Sequence, residues 1–212
     1  MKKLNAAQTK SMTIQVASVM IASKEIMCEA DRNIGDGDHG IGMANGFDAA
    51  RLALESQEFD DVYKVFFTVG RTMIKEMGGA SGIIFGTLFY AGSKNMEPKE
   101  EIGIKEFTTI FEKALDDIKA KGQANVGDKT VVDGLDPFVK ALKQAEGKDN
   151  TFEELLQTGY DAAVAGKEAS KQFIAKFGKA KTLGERAIGY PDAGAVSLTL
   201  IVGAMLDWVK AH

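Results

Sequence analysis

Apolar residues recur along most of the chain at the spacing of one face of an α-helix. Between residues 8 and 30, Met12, Val16, Val19 and Met20 follow the three- and four-residue steps of a helical stripe. Valine and isoleucine do not alternate with polar residues, as strands would require. The same helical period predicts further helices over 41–54, 62–77, 83–93, 103–120, 131–146, 152–177 and 195–209. The pattern therefore predicts eight helices and no strand.

Glycines concentrate in four of the connecting segments, at 35–42, 78–82, 122–127 and 184–194. These segments follow the first, third, fifth and seventh predicted helices. In a bundle of alternating up and down helices they all lie at the same end. No linker or change of composition divides the chain. We therefore predict an all-α fold, a single domain over 1–212, built as a barrel or bundle of eight antiparallel up-and-down helices with a site at one rim.

Composition excludes several functional classes. The chain is 45% hydrophobic and 26% charged, as in an ordinary globular protein, and its net charge of −4 argues against nucleic-acid binding. It contains no run of eighteen apolar residues, so no membrane span is predicted, and residues 5–13 are too polar for a signal peptide. The one cysteine, Cys28, fits a reducing compartment and a packing role. We expect a cytoplasmic protein with no nucleic-acid or membrane partner.

The segment from Asp31 to Gly40 carries the richest chemistry of the chain. Asp31, Asp36 and Asp38 place three carboxylates within eight residues, among glycines that allow a tight turn, and His39 follows directly. Crowded carboxylates repel one another unless they are protonated or bridged by a cation. A turn with surface acids is the alternative. Since Mg²⁺ takes few carboxylates and completes its shell with water and phosphate oxygens, the spacing favours Mg²⁺ and a phosphate ligand.

Two familiar motifs fit this segment poorly. Residues 35–40 match G-x-G-x-x-G, but a helix precedes them and their carboxylates would repel a pyrophosphate. An EF-hand fails because Asp36 stands where the turn glycine belongs and Gly42 where the bidentate glutamate belongs. Two Mg²⁺ ions would nearly balance three carboxylates and a nucleoside diphosphate, so this reading remains.

Two other glycine-rich segments offer groups for a phosphate. Residues 78–82 open a helix, so backbone N–H groups and the Ser81 hydroxyl can bind an anion there. A tight turn explains the same glycines equally well. Residues 122–130 approach a P-loop in sequence but follow no strand, and Asp128 is expected to cap the next helix instead.

Cationic residues lie in the irregular segment 178–194: Lys179, Lys181 and Arg186. Cations beside an acidic metal loop can neutralise a phosphate during its transfer. Surface solvation is the alternative for each of them, and it is the favoured interpretation for Lys181.

Taken together, Asp31 with 35–40, 78–82, 127–130 and 184–195 resemble the nucleotide-binding L subunit of dihydroxyacetone kinase in order and spacing. The resemblance covers essentially the whole chain and implies a barrel of eight antiparallel helices. It implies two Mg²⁺ ions that bridge the phosphates of ADP or ATP and are held by Asp31, Asp36 and Asp38. These aspartates and the charge-screening Lys179 are the predicted catalytic residues. The matched nucleotide contacts are His39, Gly40, Ile41, Gly42, Gly79, Ala80, Ser81, Gly122, Val131, Lys179, Asp192, Ala193 and Gly194.

The chain departs from the family pattern at four of these positions. Lys179 stands where an arginine is usual, and only arginine offers a planar fork to phosphate. Ala193 replaces a proline, Gly42 an asparagine and Val131 a methionine. These differences bear on nucleotide affinity and donor preference more than on metal binding.

The resemblance implies phosphoryl transfer to dihydroxyacetone, or a similar small ketose, held on a separate K-type subunit. The donor would be ATP, or a phosphohistidine carrier protein of the phosphotransferase system that rephosphorylates bound ADP. Fatty-acid kinases carry threonine where His39 stands, which favours the ketose branch. The alternatives are a nucleotide-binding sensor or regulatory subunit without turnover and a metal-binding bundle without nucleotide. The oligomeric state is open, a homodimer included.

Overall fold

The computed structural model describes residues 1–212 and is almost entirely helical. Two three-residue strands, β1 (Lys3–Asn5) and β2 (Glu101–Gly103), accompany the helices, and short 3₁₀ turns cover Ser170–Gln172 and Lys179–Ala187. The α-helices are α1 (Ala6–Ala22), α2 (Lys24–Arg32), α3 (His39–Glu55), α4 (Val62–Met77), α5 (Gly79–Tyr90), α6 (Ile104–Gly122), α7 (Val132–Ala145), α8 (Phe152–Ala169) and α9 (Ala193–Ala211). The predicted all-α class is confirmed.

Eight of the helices form a closed ring. Helix α1 packs against α3, each helix from α3 to α9 packs against the next, and α9 returns to α1. Helices that are consecutive in the chain pack as neighbours and run antiparallel, as in an up-and-down bundle. Helix α2 extends beyond α1 and leans on α3 and α9. The barrel places the segments after α2, α4, α6 and α8 at one rim, as the sequence predicted.

Several element boundaries differ from the prediction. The first predicted helix divides at Ser23, where φ is −88° and ψ is 10°, and the bend lets α2 lean on α3. Helix α5 begins earlier than predicted, because Gly78 with φ 63° serves as its N-cap. Helix α8 ends at Ala169 rather than 177, since the Ser170 carbonyl accepts a hydrogen bond from the Lys129 ammonium instead of continuing the helix.

The prediction of no strand was also wrong in detail. Strands β1 and β2 pair antiparallel with Leu4 opposite Ile102, and both of these side chains are buried. Each strand has three residues, which is too short for polar–apolar alternation to show in the sequence. The pair ties the N-terminus to the start of α6.

One cluster of 47 buried apolar residues fills the barrel. Its aromatic centre is Phe107, whose ring lies 5.0 Å from that of Phe111, 5.3 Å from Phe152 and 6.5 Å from Phe66, measured between centroids. Tilted and edge-on pairs at these separations are the favoured geometries of aromatic rings. Because apolar side chains fill the barrel, polar functional residues are expected at its rim.

Helix α9 is long and apolar enough to cross a membrane, with a mean hydropathy of 1.4. Two-thirds of this stretch is nevertheless buried inside the barrel, where α9 packs against α1, α7 and α8. Contact with helices on several sides explains its composition, because a helix surrounded by other helices is apolar all round.

Candidate functional site

The three aspartates of the acidic loop converge at the rim. One carboxylate oxygen from each of Asp31, Asp36 and Asp38 lies within 4.8 Å of the others. Asp31, in the last turn of α2, fixes the loop because its Oδ2 accepts the N–H of Gly37 at 2.9 Å and of His39 at 3.3 Å. The carboxylates of Asp36 and Asp38 remain exposed beside it. The loop therefore presents oxygen ligands around one point.

Gly35 leaves room for this arrangement. A Cβ at that position would lie 2.3 Å from Asp31 Oδ1, so any larger residue would displace the carboxylate. The donor set consists only of carboxylate oxygens, two of them on exposed side chains that water can reach. This chemistry fits Mg²⁺, which binds through one or two carboxylates and keeps several waters.

Lys179 is the cation that contacts the acidic loop. Its ammonium forms an ion pair with Asp36 and lies 3.8 Å from Asp38 Oδ2. Hydrogen bonding to Lys179 lowers the pKa of Asp36, and the same bond raises the pKa of Lys179. One ammonium leaves two negative charges of the loop without compensation, so the loop retains a demand for cations. Arg186 lies on the same segment but donates to the Leu183 carbonyl instead, at 3.4 Å.

His39 connects the acidic loop to α5 and α9. Its Nε2 lies 2.7 Å from Ser197 Oγ, and its Nδ1 lies 3.3 Å from Ser81 Oγ. The Ser197 hydroxyl donates to the Ala193 carbonyl at 3.2 Å, so its oxygen accepts from Nε2–H. Nδ1 then accepts from the Ser81 hydroxyl, which turns the Ser81 lone pairs away from the ring. Burial lowers the pKa of His39 and so favours the neutral ring that this chain of bonds requires.

The first turn of α5 offers backbone donors at the same rim. Gly78 and Gly79 adopt φ values of 63° and 60°, which favour glycine, and a Cβ on either would meet no atom within 4 Å. No side chain caps the helix, so N–H groups of its first turn lack partners. Ala80 is exposed beside them. This turn can bind an anion.

The remaining predicted contacts occupy the first turns of α3 and α9 and the end of α6. Ile41 is exposed, and a Cβ on Gly42 would meet nothing within 4 Å. Asp192 caps α9 by accepting the Ala195 N–H at 2.8 Å, and Ala193 beside it is buried. Gly194 lies against Val131, since a Cβ there would be 3.1 Å from Val131 Cβ; Gly122 lies exposed at the end of α6.

Asp128 does not cap α7, so that prediction was wrong. Its carboxylate accepts the Asn125 N–H at 2.8 Å and pairs with Lys176 at 2.5 Å. No side chain caps α7; the buried Asp133, in its first turn, instead accepts the N–H of Gly127 at 2.6 Å and of Thr130 at 2.7 Å. The turn that resembles a P-loop in sequence is therefore closed by an internal carboxylate.

Ser197, Lys129 and Asp133 were not predicted from the sequence. The only local signal for Ser197 is a hydroxyl four residues after Ala193 in an otherwise apolar helix. Lys129 is buried and adopts φ 57°, which no composition rule reveals. Ser197 and Lys129 contact segments that are distant in sequence, whereas Asp133 acts within its own turn.

A family model described as the DAK2 domain matches residues 33–207, which include Asp36 and Asp38 and extend from α3 into α9. The chain belongs to the DAK2 domain family. This DAK2 domain is 38% identical over 185 residues to the ADP-binding subunit DhaL of PEP-dependent dihydroxyacetone kinase 1 from Listeria innocua, covering 87% of each chain. It is 31% identical over 196 residues to the D-erythrulose kinase of Mycolicibacterium smegmatis, covering 92% of this chain and 34% of that protein. The resemblance to the L-subunit family is thereby confirmed.

The fold of the DAK2 domain recurs in a solved structure. The crystal structure of dihydroxyacetone kinase from C. freundii in complex with AMP-PNP and Mg²⁺ superimposes with a TM-score of 0.69 at 24% identity. The match covers 95% of this chain and 34% of the larger protein, so the present chain spans about a third of that kinase. At this identity the likeness shows the helical fold.

Asp192 predicts a measurable pH dependence of the DAK2 domain's stability. Burial raises its pKa from 3.8 to about 6, with Asp133 acting in the same direction and Lys129 opposing. The folded state thus holds this proton more tightly, and as pH rises from about 4 to about 6 the free energy of unfolding should fall by about 3 kcal/mol from this group. Asp192→Asn keeps an acceptor for the Ala195 N–H but cannot ionise.

We therefore expect the stability of Asp192→Asn relative to the natural chain to rise across this pH interval. Urea unfolding at a series of pH values between about 4 and 7 measures the difference. Carboxylates remote from Asp192 contribute equally to both proteins and cancel. A constant difference would show that Asp192 is ionised in the folded state throughout.

Proposed function

We propose that this rim binds Mg²⁺ together with ADP or ATP and transfers a phosphoryl group to dihydroxyacetone, or a similar small ketose, held on a separate K-type subunit. The observation that carries the proposal is that three carboxylates lie at the same rim as the free N–H groups of α5, which can bind an anion. His39 connects the two, since its backbone N–H donates to the Asp31 carboxylate while its ring Nδ1 accepts from the Ser81 hydroxyl. Cation ligands beside an anion-binding helix terminus suit a metal-bound polyphosphate.

Each group has a role that follows from its position. Asp31, Asp36 and Asp38 would hold two Mg²⁺ ions, which when bound supply neutralisation and alignment of the phosphate oxygens. The N–H groups at the start of α5, that of Ser81 included, bind phosphate oxygens, while the Ser81 hydroxyl donates to His39 Nδ1. Lys179 adds positive charge at the same point and screens the transferring phosphate.

The acceptor requires a partner because the chain offers no unused base at the rim. Both ring nitrogens of His39 are engaged, one by Ser81 and one by Ser197. In the transfer, the terminal hydroxyl oxygen of the ketose bonds to the γ-phosphorus, the bond to the ADP oxygen breaks, and ADP keeps that electron pair. The hydroxyl proton then passes to a group on the K-type subunit.

The names of the relatives support one donor route. The Listeria innocua relative is called PEP-dependent and ADP-binding, which fits an ADP that stays bound and receives its phosphoryl group again from a phosphohistidine carrier of the phosphotransferase system. The D-erythrulose kinase name supports a small ketose as the substrate class. ATP remains the second donor to be tested.

Mass analysis of the purified chain, followed by turnover assays with a K-type subunit and each donor, tests the proposal. We expect retained ADP and ketose phosphorylation with the phosphohistidine carrier. Bound ADP without turnover from either donor would instead indicate a nucleotide sensor. A thermal shift with Mg²⁺ that ADP does not increase would indicate a metal-binding bundle, because a ligand that binds the folded state raises its stability by mass action.

A further inference from the structure

One buried ammonium joins the two ends of the segment that carries Lys179. We call residues 170–190, between α8 and α9, the strap. The Lys129 side chain comes from the turn before α7 and is only 2% exposed. Its Nζ donates to the Ser170 carbonyl at 2.7 Å and to the Tyr190 carbonyl at 2.6 Å. A single side chain thus holds the first and last residues of the strap.

Backbone and hydroxyl bonds close the base of the strap around this ammonium. The Gly189 N–H donates to the Lys171 carbonyl at 2.8 Å, and the Asp192 N–H donates to Ser170 Oγ at 2.9 Å. The two ends of the strap therefore lie side by side. Beyond its base the strap is mostly exposed, apart from a small apolar cluster in which Ala180, Leu183 and Ala187 pack with Ile34. The polar contacts at its base are therefore a large share of what holds it on the barrel.

The turn that supplies Lys129 provides the other polar anchor of the strap. The Asp128 carbonyl accepts the Lys176 N–H at 3.1 Å, and the Asp128 carboxylate pairs with the Lys176 ammonium. Two adjacent residues of this turn therefore hold the strap at three points. Lys179 follows three residues after Lys176 and contacts Asp36.

Two features of Lys129 destabilise the folded state: its backbone conformation and its buried charge. It adopts φ 57°, a conformation that is unfavourable for residues other than glycine. Its ammonium is buried, and burial lowers its pKa although Asp192 and Asp133 act in the opposite direction. A buried amine without a carboxylate in ion-pair contact is expensive, so an apolar residue would serve plain stability better.

We propose that Lys129 is a positioning residue for nucleotide binding, which clamps the base of the strap and thereby sets Lys179 against the acidic loop. Its role depends on the proposed function, because it acts through Lys179 on the metal-bound phosphate. The hydrogen bonds of Lys129 go to the Ser170 and Tyr190 carbonyls, which are not predicted nucleotide contacts. Its effect on nucleotide affinity therefore passes through the position of the strap.

A double-mutant cycle separates positioning from general stabilisation. Lys129→Met, Lys179→Met and the double variant are compared by calorimetric titration with Mg-ADP. We expect each single substitution to weaken binding by about tenfold, and the double variant to bind no more weakly than Lys179→Met alone, because residues that act as one unit are non-additive. Losses that multiply to about a hundredfold would overturn the proposal.

Hydrogen exchange gives a readout that does not depend on nucleotide. In Lys129→Met the amides of residues 171–188 should exchange faster, while those of α1, α4 and α6 stay protected. The matched control is Lys148→Met, which removes an exposed ammonium from the loop between α7 and α8. Unchanged exchange in the strap would overturn the clamp. A natural chain that fails to bind Mg-ADP would overturn the proposed function instead.

A second variant covers the case in which Lys129→Met does not fold. Lys129→Arg keeps a cation and several N–H donors, but the guanidinium is larger than an ammonium and its donors point in fixed directions. We expect it to fold and to show a smaller loss of affinity that is again absent in the Lys179→Met background. Independent, additive losses in this pair would also contradict the positioning role.

Discussion

Replacing Asp36 by Asn is expected to weaken Mg-ADP binding by about a hundredfold or more while leaving helix content unchanged. Groups that only support metal ligands typically contribute about 10- to 100-fold to affinity, so a ligand itself should contribute at least as much. The amide has the same shape as the carboxylate, but it removes one of the three negative charges that meet within 4.8 Å. Asp36 is exposed at the rim, away from the buried core.

Calorimetric titration with Mg-ADP measures the loss, and circular dichroism checks the helices. Asp60→Asn is the matched control, since it neutralises an exposed aspartate before α4, outside the acidic loop. The control should bind Mg-ADP like the natural chain. If Asp36→Asn also retained its affinity, the acidic loop would not be the metal site, whatever the fate of the other predicted contacts.

Asp36→Asn also removes the nearer of the two carboxylates that contact Lys179. In the natural chain the Lys179 ammonium competes with a divalent cation for the Asp36 carboxylate. The ion pair therefore lowers the affinity of the acidic loop for Mg²⁺ alone. Lys179→Met should therefore strengthen the binding of Mg²⁺ alone even though it weakens the binding of Mg-ADP. Opposite effects on the two ligands distinguish a screening cation from a structural one.

The barrel and the acidic loop were predictable because both are written in short stretches of sequence. The helical period persists over four or more turns in α4 and α6, and each buried stripe reports a single core. Asp31, Asp36 and Asp38 lie within eight residues, so their approach follows from the chain itself. Recognition of the family added the order of the four rim segments.

The supporting contacts were not predictable because they join residues far apart in sequence. His39 and Ser197 are separated by 158 positions, and Lys129 and Tyr190 by 61. Asp133 is the local exception: local rules assigned the cap of α7 to Asp128, but the helix has no side-chain cap and the buried Asp133 accepts the N–H groups of Gly127 and Thr130. The three aspartates of the loop could thus be predicted from the sequence, whereas the residues that support the site could be found only from the structure.

Gly40 allows α3 to pack closely against α2, the helix that carries Asp31. In sequence it reads as a loop glycine, but in the structure it lies in the first turn of α3, against α2. A Cβ there would lie 2.2 Å from the Lys24 carbonyl oxygen and 2.7 Å from the Cys28 nitrogen. These are backbone atoms of α2, so an added Cβ could be accommodated only if α2 and α3 moved apart. Because α2 carries Asp31, that movement would also displace Asp31 from the acidic loop.

Gly40→Ala is therefore expected to lower the free energy of unfolding by about 1–3 kcal/mol, the usual cost of overpacking. It should also weaken Mg-ADP binding by at least about tenfold, because a displacement of about 1 Å between Asp31 and Asp38 spoils a shared site. Urea unfolding and calorimetry measure the two effects.

Gly42→Ala supplies the contrast, since a Cβ two positions later in the same helix would meet nothing within 4 Å. Alanine is the better helix former by about 1 kcal/mol, so this variant should be as stable as the natural chain or more so. The two substitutions add the same methyl group to the same helix and should change stability in opposite directions. Equal stability in both variants would mean that α2 and α3 do not approach closely enough to hold Asp31 against Asp38.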